Sequence, residues 1–191
     1  TVFPCGADQP LASSVNYDGN DVVSNTMLAK IGDDGKVCIY TLVETDLIAD
    51  VNGFVPVDGS PDPLVPARLL ETRIGEKTVD GQFQAEGRAA AGSTTELLVA
   101  GRGGVPADAS TVVLNIASIL PPSPGFLTVF PCGEDQPLAS SVNYDGADVI
   151  SNSVIAKIGE DGKVCIYTLV ETDIIADVNG ASSDPVPFRE S

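Results

Sequence analysis

The sequence predicts an all-β protein, a β-sandwich of short antiparallel strands in tandem repeats with a small β-barrel as the alternative, and three observations predict it. Val, Ile, Leu and Ala dominate an apolar share of 43%, enough to fill a core, while Trp is absent. Gly and Pro, at 19 and 14 residues, interrupt the chain at short intervals, which favours strands and turns over helices. The chain also repeats itself: Thr1–Gly53 realigns with Thr128–Gly180 at an offset of 127, differing at eight of 53 positions.

The differences are Ala7/Glu134, Asn20/Ala147, Val23/Ile150, Thr26/Ser153, Met27/Val154, Leu28/Ile155, Asp33/Glu160 and Leu47/Ile174, so apolar positions stay apolar and the copies should fold alike. Residues 57–127 occur once, giving the order copy, single segment, copy. The stretch Val57 to Leu64, rich in Pro, Gly and Asp, has linker composition. No such break precedes the second copy, because Pro121-Pro122-Ser123-Pro124-Gly125 is short enough to be a turn. Residues 65–183 are therefore expected to form a complete β-domain and 1–56 the C-terminal half of a preceding repeat, with 57–64 a linker and 184–191 a tail or the start of the next linker. One single segment cannot complete two copies, so the simplest source is a longer tandem array.

Turn chemistry bounds the predicted strands. They are Arg68–Arg73, Gln82–Ala85, Thr94–Ala100, Thr111–Ser118, Phe126–Pro131, Ser140–Tyr144, Ser153–Ile158, Lys163–Leu169 and Asp173–Val178. Glu160-Asp161-Gly162, echoed by Asp33-Asp34-Gly35, gives the strongest hairpin signal, since Gly after Asp supplies positive φ. Tyr144-Asp145-Gly146, echoed by Tyr17-Asp18-Gly19, is a second turn. Within Lys163–Leu169, Cys165 and Tyr167 share one face while Val164, Ile166 and Thr168 share the other.

The four cysteines, Cys5, Cys38, Cys132 and Cys165, fall in two pairs with the same spacing of 33. Zinc sites want ligands two to four residues apart and often His, and this chain has no His and no Cys-x-x-Cys. Disulfides are the expectation, with free core thiols the alternative. Of three possible connectivities, the repeat makes Cys5–Cys38 and Cys132–Cys165 the natural choice, and such bridges imply an extracellular or cell-surface setting.

A formal net charge of −17 leaves no basic stripe for nucleic acid or anionic lipid. No apolar run is long enough to span a bilayer, so membrane insertion is not expected.

Several motifs in order look like a known family: Arg68-Leu69-Leu70-Glu71-Thr72-Arg73, Gly104-Val105-Pro106-Ala107-Asp108-Ala109, Val113-Leu114-Asn115, Gly125-Phe126-Leu127-Thr128-Val129-Phe130-Pro131-Cys132-Gly133 and Ile175-Ala176-Asp177-Val178-Asn179-Gly180. They resemble a β-rich module of secreted actinobacterial proteins that flanks exported enzymes or recurs as stalk repeats. The resemblance covers nearly all of 65–183 and returns over 1–56, and it implies an exported β-domain without a defined activity. The usual pattern has Asp where Glu71 stands and an aromatic after the last Gly, which Phe54 satisfies and Ala181 does not.

The absence of His excludes Ser-His-Asp and Cys-His machinery. Lys30 and Lys157 lie in strand-like surroundings without a marked serine, so a Ser-Lys pair is not expected. Asp173 and Asp177, echoed by Asp46 and Asp50, would stand roughly 13 Å apart along a strand, too far for the usual glycosidase geometries. Asp18, Asp21, Asp33 and Asp34, with Asp145, Asp148 and Asp161, offer oxygens for calcium, but no segment has EF-hand spacing, and solvated turn carboxylates are expected. Gly101-Arg102-Gly103-Gly104 reads as a loop, and Arg68 and Arg73 as partners of carboxylates within the domain. Tyr17, Tyr40, Tyr144 and Tyr167 are the candidate glycan contacts. The expectation is a non-enzymatic stalk, fibre or surface filament without cofactors, its partners being neighbouring copies of the same repeat in the same or another chain. The alternative is a carbohydrate or cell-wall binding module.

Overall fold

The computed structural model describes residues 1–9, 15, 22–26, 29, 31–54 and 61–183. Ten strands are formed among them: β1 (Val2–Pro4), β2 (Val37–Ile39), β3 (Asp62–Glu71), β4 (Thr94–Leu98), β5 (Thr111–Ile119), β6 (Gly125–Pro131), β7 (Val142–Tyr144), β8 (Val149–Lys157), β9 (Lys163–Thr168) and β10 (Asp173–Ser182). The protein is all-β. Strands β1 and β2 make a two-stranded ribbon, and the others make two four-stranded sheets ordered β3-β10-β5-β8 and β4-β9-β6-β7. All the strand ladders are antiparallel.

The barrel alternative does not hold. Each four-stranded sheet stays open, with β3 and β8 at the edges of one and β4 and β7 at the edges of the other. One buried hydrophobic cluster draws side chains from all eight of these strands, including Leu69, Leu97, Leu114, Leu127, Val142, Val154, Ile166 and Ile174. The period of two explains who enters it. Val112, Leu114 and Ile116 of β5, Val164 and Ile166 of β9, and Ile174, Ala176 and Val178 of β10 all point to this core. The other face of β9 carries Cys165 and Tyr167, which join Phe130 and Cys132 in a separate small cluster.

Three sequence expectations are corrected. Glu160-Asp161-Gly162 is a tight turn, with positive φ at Asp161 and Gly162 and the Lys163 N–H bonded to the Glu160 carbonyl, but it joins no hairpin. It carries the chain from β8 in one sheet to β9 in the other, as Tyr144-Asp145-Gly146 carries it from β7 to β8. The Asp-Gly pair sets the local bend; the next strand's sheet is set by distant ladders, here Lys163 with Leu98. Gln82–Ala85 forms only an isolated bridge, Gln84 with Glu71, because a bound loop and not a strand occupies this edge. Finally, β3 begins at Asp62, within the stretch expected as linker, because β10 is long enough to pair residues 62 and 63 through Ala181 and Gly180.

The loop between β3 and β4 is fastened by Arg102. This guanidinium is 5% exposed. It grips Asp80 twice, at 2.7 and 2.8 Å, donates to the Leu98 and Leu69 carbonyls, and lies 4.8 Å from the Phe83 ring centroid. A buried guanidinium without such partners would be strongly destabilising.

The second disulfide, Cys132–Cys165, ties the end of β6 to β9 with the two Cα atoms 5.0 Å apart. Replacing both cysteines with Ser is expected to lower stability by about 3–4 kcal/mol in the chain-entropy account of a loop of roughly 34 residues. Urea denaturation at fixed pH checks this; an unmoved midpoint would mean that the bridge does not restrict the unfolded chain.

Candidate functional site

The two copies offer an internal comparison of the same sequence in two settings. Their disulfide regions agree. Val2 pairs with Ile39, Phe3 with Cys38 and Pro4 with Val37; at the same offset, Val129 pairs with Ile166, Phe130 with Cys165 and Pro131 with Val164. Both cysteine pairs are bridged with Cα separations of 5.0 Å. The turns agree as well, Asp34 having φ 55° and Asp161 φ 54°. Gly32 and Gly159 are both required, since a Cβ at either would collide with the backbone of Cys5 or Cys132. This part of the fold is dictated locally, by the bridge and the turn.

Beyond the ribbon the copies diverge. Asp173–Ser182 is a ten-residue strand held on both sides, by β3 and by β5. Its counterpart, Asp46–Gly53, differs only at Leu47/Ile174 and forms no strand. Ile48 is 88% exposed against 7% for Ile175, Val51 81% against 0% for Val178, and Leu47 57% against 0% for Ile174. Both neighbours of β10 come from the single segment, as does β4, the neighbour that β2 lacks. A strand with neither ladder leaves its backbone groups to water and its apolar side chains unburied. In this structure the first copy therefore leaves Leu47, Ile48 and Val51 exposed. The first copy touches β7 and β8 through the Thr26 N–H, which donates to Asn152 Oδ1 at 2.7 Å, and through Ser24 Oγ, which accepts from the Asn143 N–H at 3.4 Å.

The best-organised electrostatic feature lies across β3 and β10. Glu71 is fully buried and accepts from Arg68 at 2.8 Å and from the Arg73 side chain at 2.9 Å twice. Arg68 also clasps Asp177 at 2.8 and 3.2 Å. Burial alone would push the Glu71 carboxyl up, but hydrogen bonds from Arg73 and attraction to both arginines outweigh it and hold it below its ordinary value. Thr72 donates to Asp173 at 2.8 Å and Arg88 pairs with Glu171 at 3.1 Å. These contacts tie β3 and its loop to β10. A shallow, open depression beside them is lined by Pro66, Ala67, Arg68, Lys77 and Asp177 and carries no aromatic wall.

The predicted site residues are dispersed. Tyr144, taken as a glycan contact, is a core residue: it is 3% exposed, with its hydroxyl 3.4 Å from the Phe126 carbonyl and from Thr168 Oγ1. Its three-residue strand alternates inward at Val142 and Tyr144, which removes it from any ligand surface. Tyr167 faces the other way, half-buried and 6.0 Å from the Phe126 ring beside the second disulfide. Tyr40 is 40% exposed at the end of β2. Tyr17, Asp18 and Asp21 lie outside the described residues. Asp33, Asp34, Asp145, Asp148 and Asp161 sit in turns, and among the described residues no three carboxylates gather as a metal-binding group. Sequence reasoning missed Arg102 and Asp80. The available signal was a single Arg among glycines in a chain with only ten basic residues.

No protein-family profile and no curated protein matches the chain.

The Arg102 hydrogen bonds hold the Asp80 carboxyl at about 2, below its ordinary value. A pKa depressed by folding contributes stability above the unfolded value near 4, which is lost as pH falls through about 2. The loss is bounded at about 2–3 kcal/mol, reduced by the solvent screening of a side chain 29% exposed. The stability difference between the parent and Asp80→Asn, followed by denaturation from pH 6 to pH 2, is expected to shrink over that interval. A constant difference would contradict the pairing.

Proposed function

We propose that this chain is part of an extracellular or cell-surface structural protein, a stalk, fibre or filament of tandem β-domains each stapled by its own disulfide. In this reading residues 65–183 are a complete β-sandwich, the two open sheets being its layers, and 1–56 belong to the repeat before it. The role is mechanical or one of display, with no catalysis. The partners of each unit are neighbouring copies of the same repeat.

The observation that carries the reading is the pair of near-identical copies, eight differences in 53 positions, of which one is buried in a domain and the other bares the same residues. A sequence that keeps Leu47, Ile48 and Val51 apolar while they face water is suited to a place where a further segment covers them. The disulfides support an oxidising compartment. The charge of −17 supports surfaces that repel one another except where units are designed to meet. A unit selected for spacing tolerates duplication without change, and stacked units of this kind are stabilised by nearest-neighbour contacts.

Electron microscopy of the native material, with intact mass under non-reducing conditions, tests the proposal. The expected result is regular fibres or extended stalks with an axial repeat of one domain, and both bridges formed. Discrete globular monomers of the native protein would contradict it.

A further inference from the structure

We propose that consecutive units of the array stand side by side, with their strands running across the array axis, and are not stacked end to end. The arrangement rests on the tandem reading proposed above and adds to it the direction in which the units are joined. The chain enters and leaves the complete domain at one end. Asp62 pairs with Ala181 and Pro63 with Gly180, so the start of β3 and the end of β10 are neighbours. The far end, where Asp173 pairs with Ile119, carries neither connection.

Chain length then limits where the preceding unit can be. The counterpart of Ala181 in that unit is Phe54, and eight residue steps separate Phe54 from Asp62. Eight steps reach at most about 29 Å at full extension, whatever path the chain takes. For units stacked end to end in one orientation, these two positions would stand one unit length apart. The ten residues of β10 alone span about 31 Å, and loops extend beyond both of its ends. The connection is too short for that stacking. Two units can meet with their connected ends face to face, but a third must then bring its own connected end to a place already filled. A lateral array lets every unit keep its connected end on a common line. The far end, with exposed Leu120 and Val149 beside Ile119, then points away from that line in each unit.

The contact made by the preceding copy falls where a lateral array needs it. Thr26 and Ser24 reach Asn152 and Asn143, within β8 and β7. These are edge strands, one from each sheet, so the contact lies on the flank of the domain and not at either end. The groups used are ones that a complete unit also leaves outside. Thr26 and Ser24 correspond to Ser153 and Ser151 of β8, and both of these are exposed. At the two ends of the β5–β8 ladder the Leu120 N–H donates to the Asp148 carbonyl and the Ile158 N–H to the Ser110 carbonyl. Bonded and non-bonded pairs alternate along an antiparallel ladder. Ser153, opposite Asn115, therefore turns its N–H away from β5.

Cryo-electron microscopy of the native, oxidised material tests the arrangement through the axial spacing of the units and the direction of their strands. The expected result is a spacing within reach of the connection, about 29 Å or less, with strands crossing the axis. Fibres whose spacing exceeds the length of β10, about 31 Å, with strands running along the axis, would overturn the lateral arrangement and leave the fibre reading standing. Discrete monomers would overturn the fibre reading and the arrangement with it.

Discussion

The structure depends on β10 having a neighbour on each side. Its nine partners along β5 and its pairs along β3 place Ile174, Ala176 and Val178 in the core. The first copy shows what the same residues do without those ladders. The strand is lost, and Ile48 and Val51 turn to water. Sequence alone does not make this segment a strand; long-range pairing does, as expected where β-propensity is weak compared with tertiary context. The disulfide ribbon lies at the opposite extreme. It repeats its register in both copies because a covalent bridge and a turn, both close at hand, fix it.

Electrostatics serves the same pairing. Among the described residues, Arg68, Arg73, Arg88 and Arg102 are spent on joints. Arg68, with Glu71 and Asp177, links β3 to β10, and Arg102 holds the β3–β4 loop through Asp80. Buried charge is tolerable there because each guanidinium meets carboxylate or carbonyl oxygens in hydrogen-bonding geometry. Arg68 and Arg73 pair with carboxylates as the sequence suggests, and the exposed apolar surface lies on the first copy.

The all-β class was legible in the sequence, because core residues alternate through Val112–Ile116, Val164–Ile166 and Ile174–Val178 and the turn residues are explicit. The cysteine pairing followed from the repeat. What escaped were features set at long range. Asp161-Gly162 declares a turn but not that β8 and β9 join different sheets. Tyr144 lies in a three-residue strand, too short for alternation to reveal its inward face. Arg102 finds Asp80 only after the chain has folded back over 22 residues. Asp62 extends β3 because β10 continues past Gly180, a length that no local signal carries.

The central claim is that one sequence takes two states according to whether the single segment covers it. Amide exchange on the unaltered, oxidised full-length protein measures this most directly. Strong protection over 173–182 beside unprotected exchange over 46–54 is the predicted result. Equal protection of the two strand segments in a monomer would contradict it, showing that Asp46–Gly53 folds without the ladders that β3 and β5 supply.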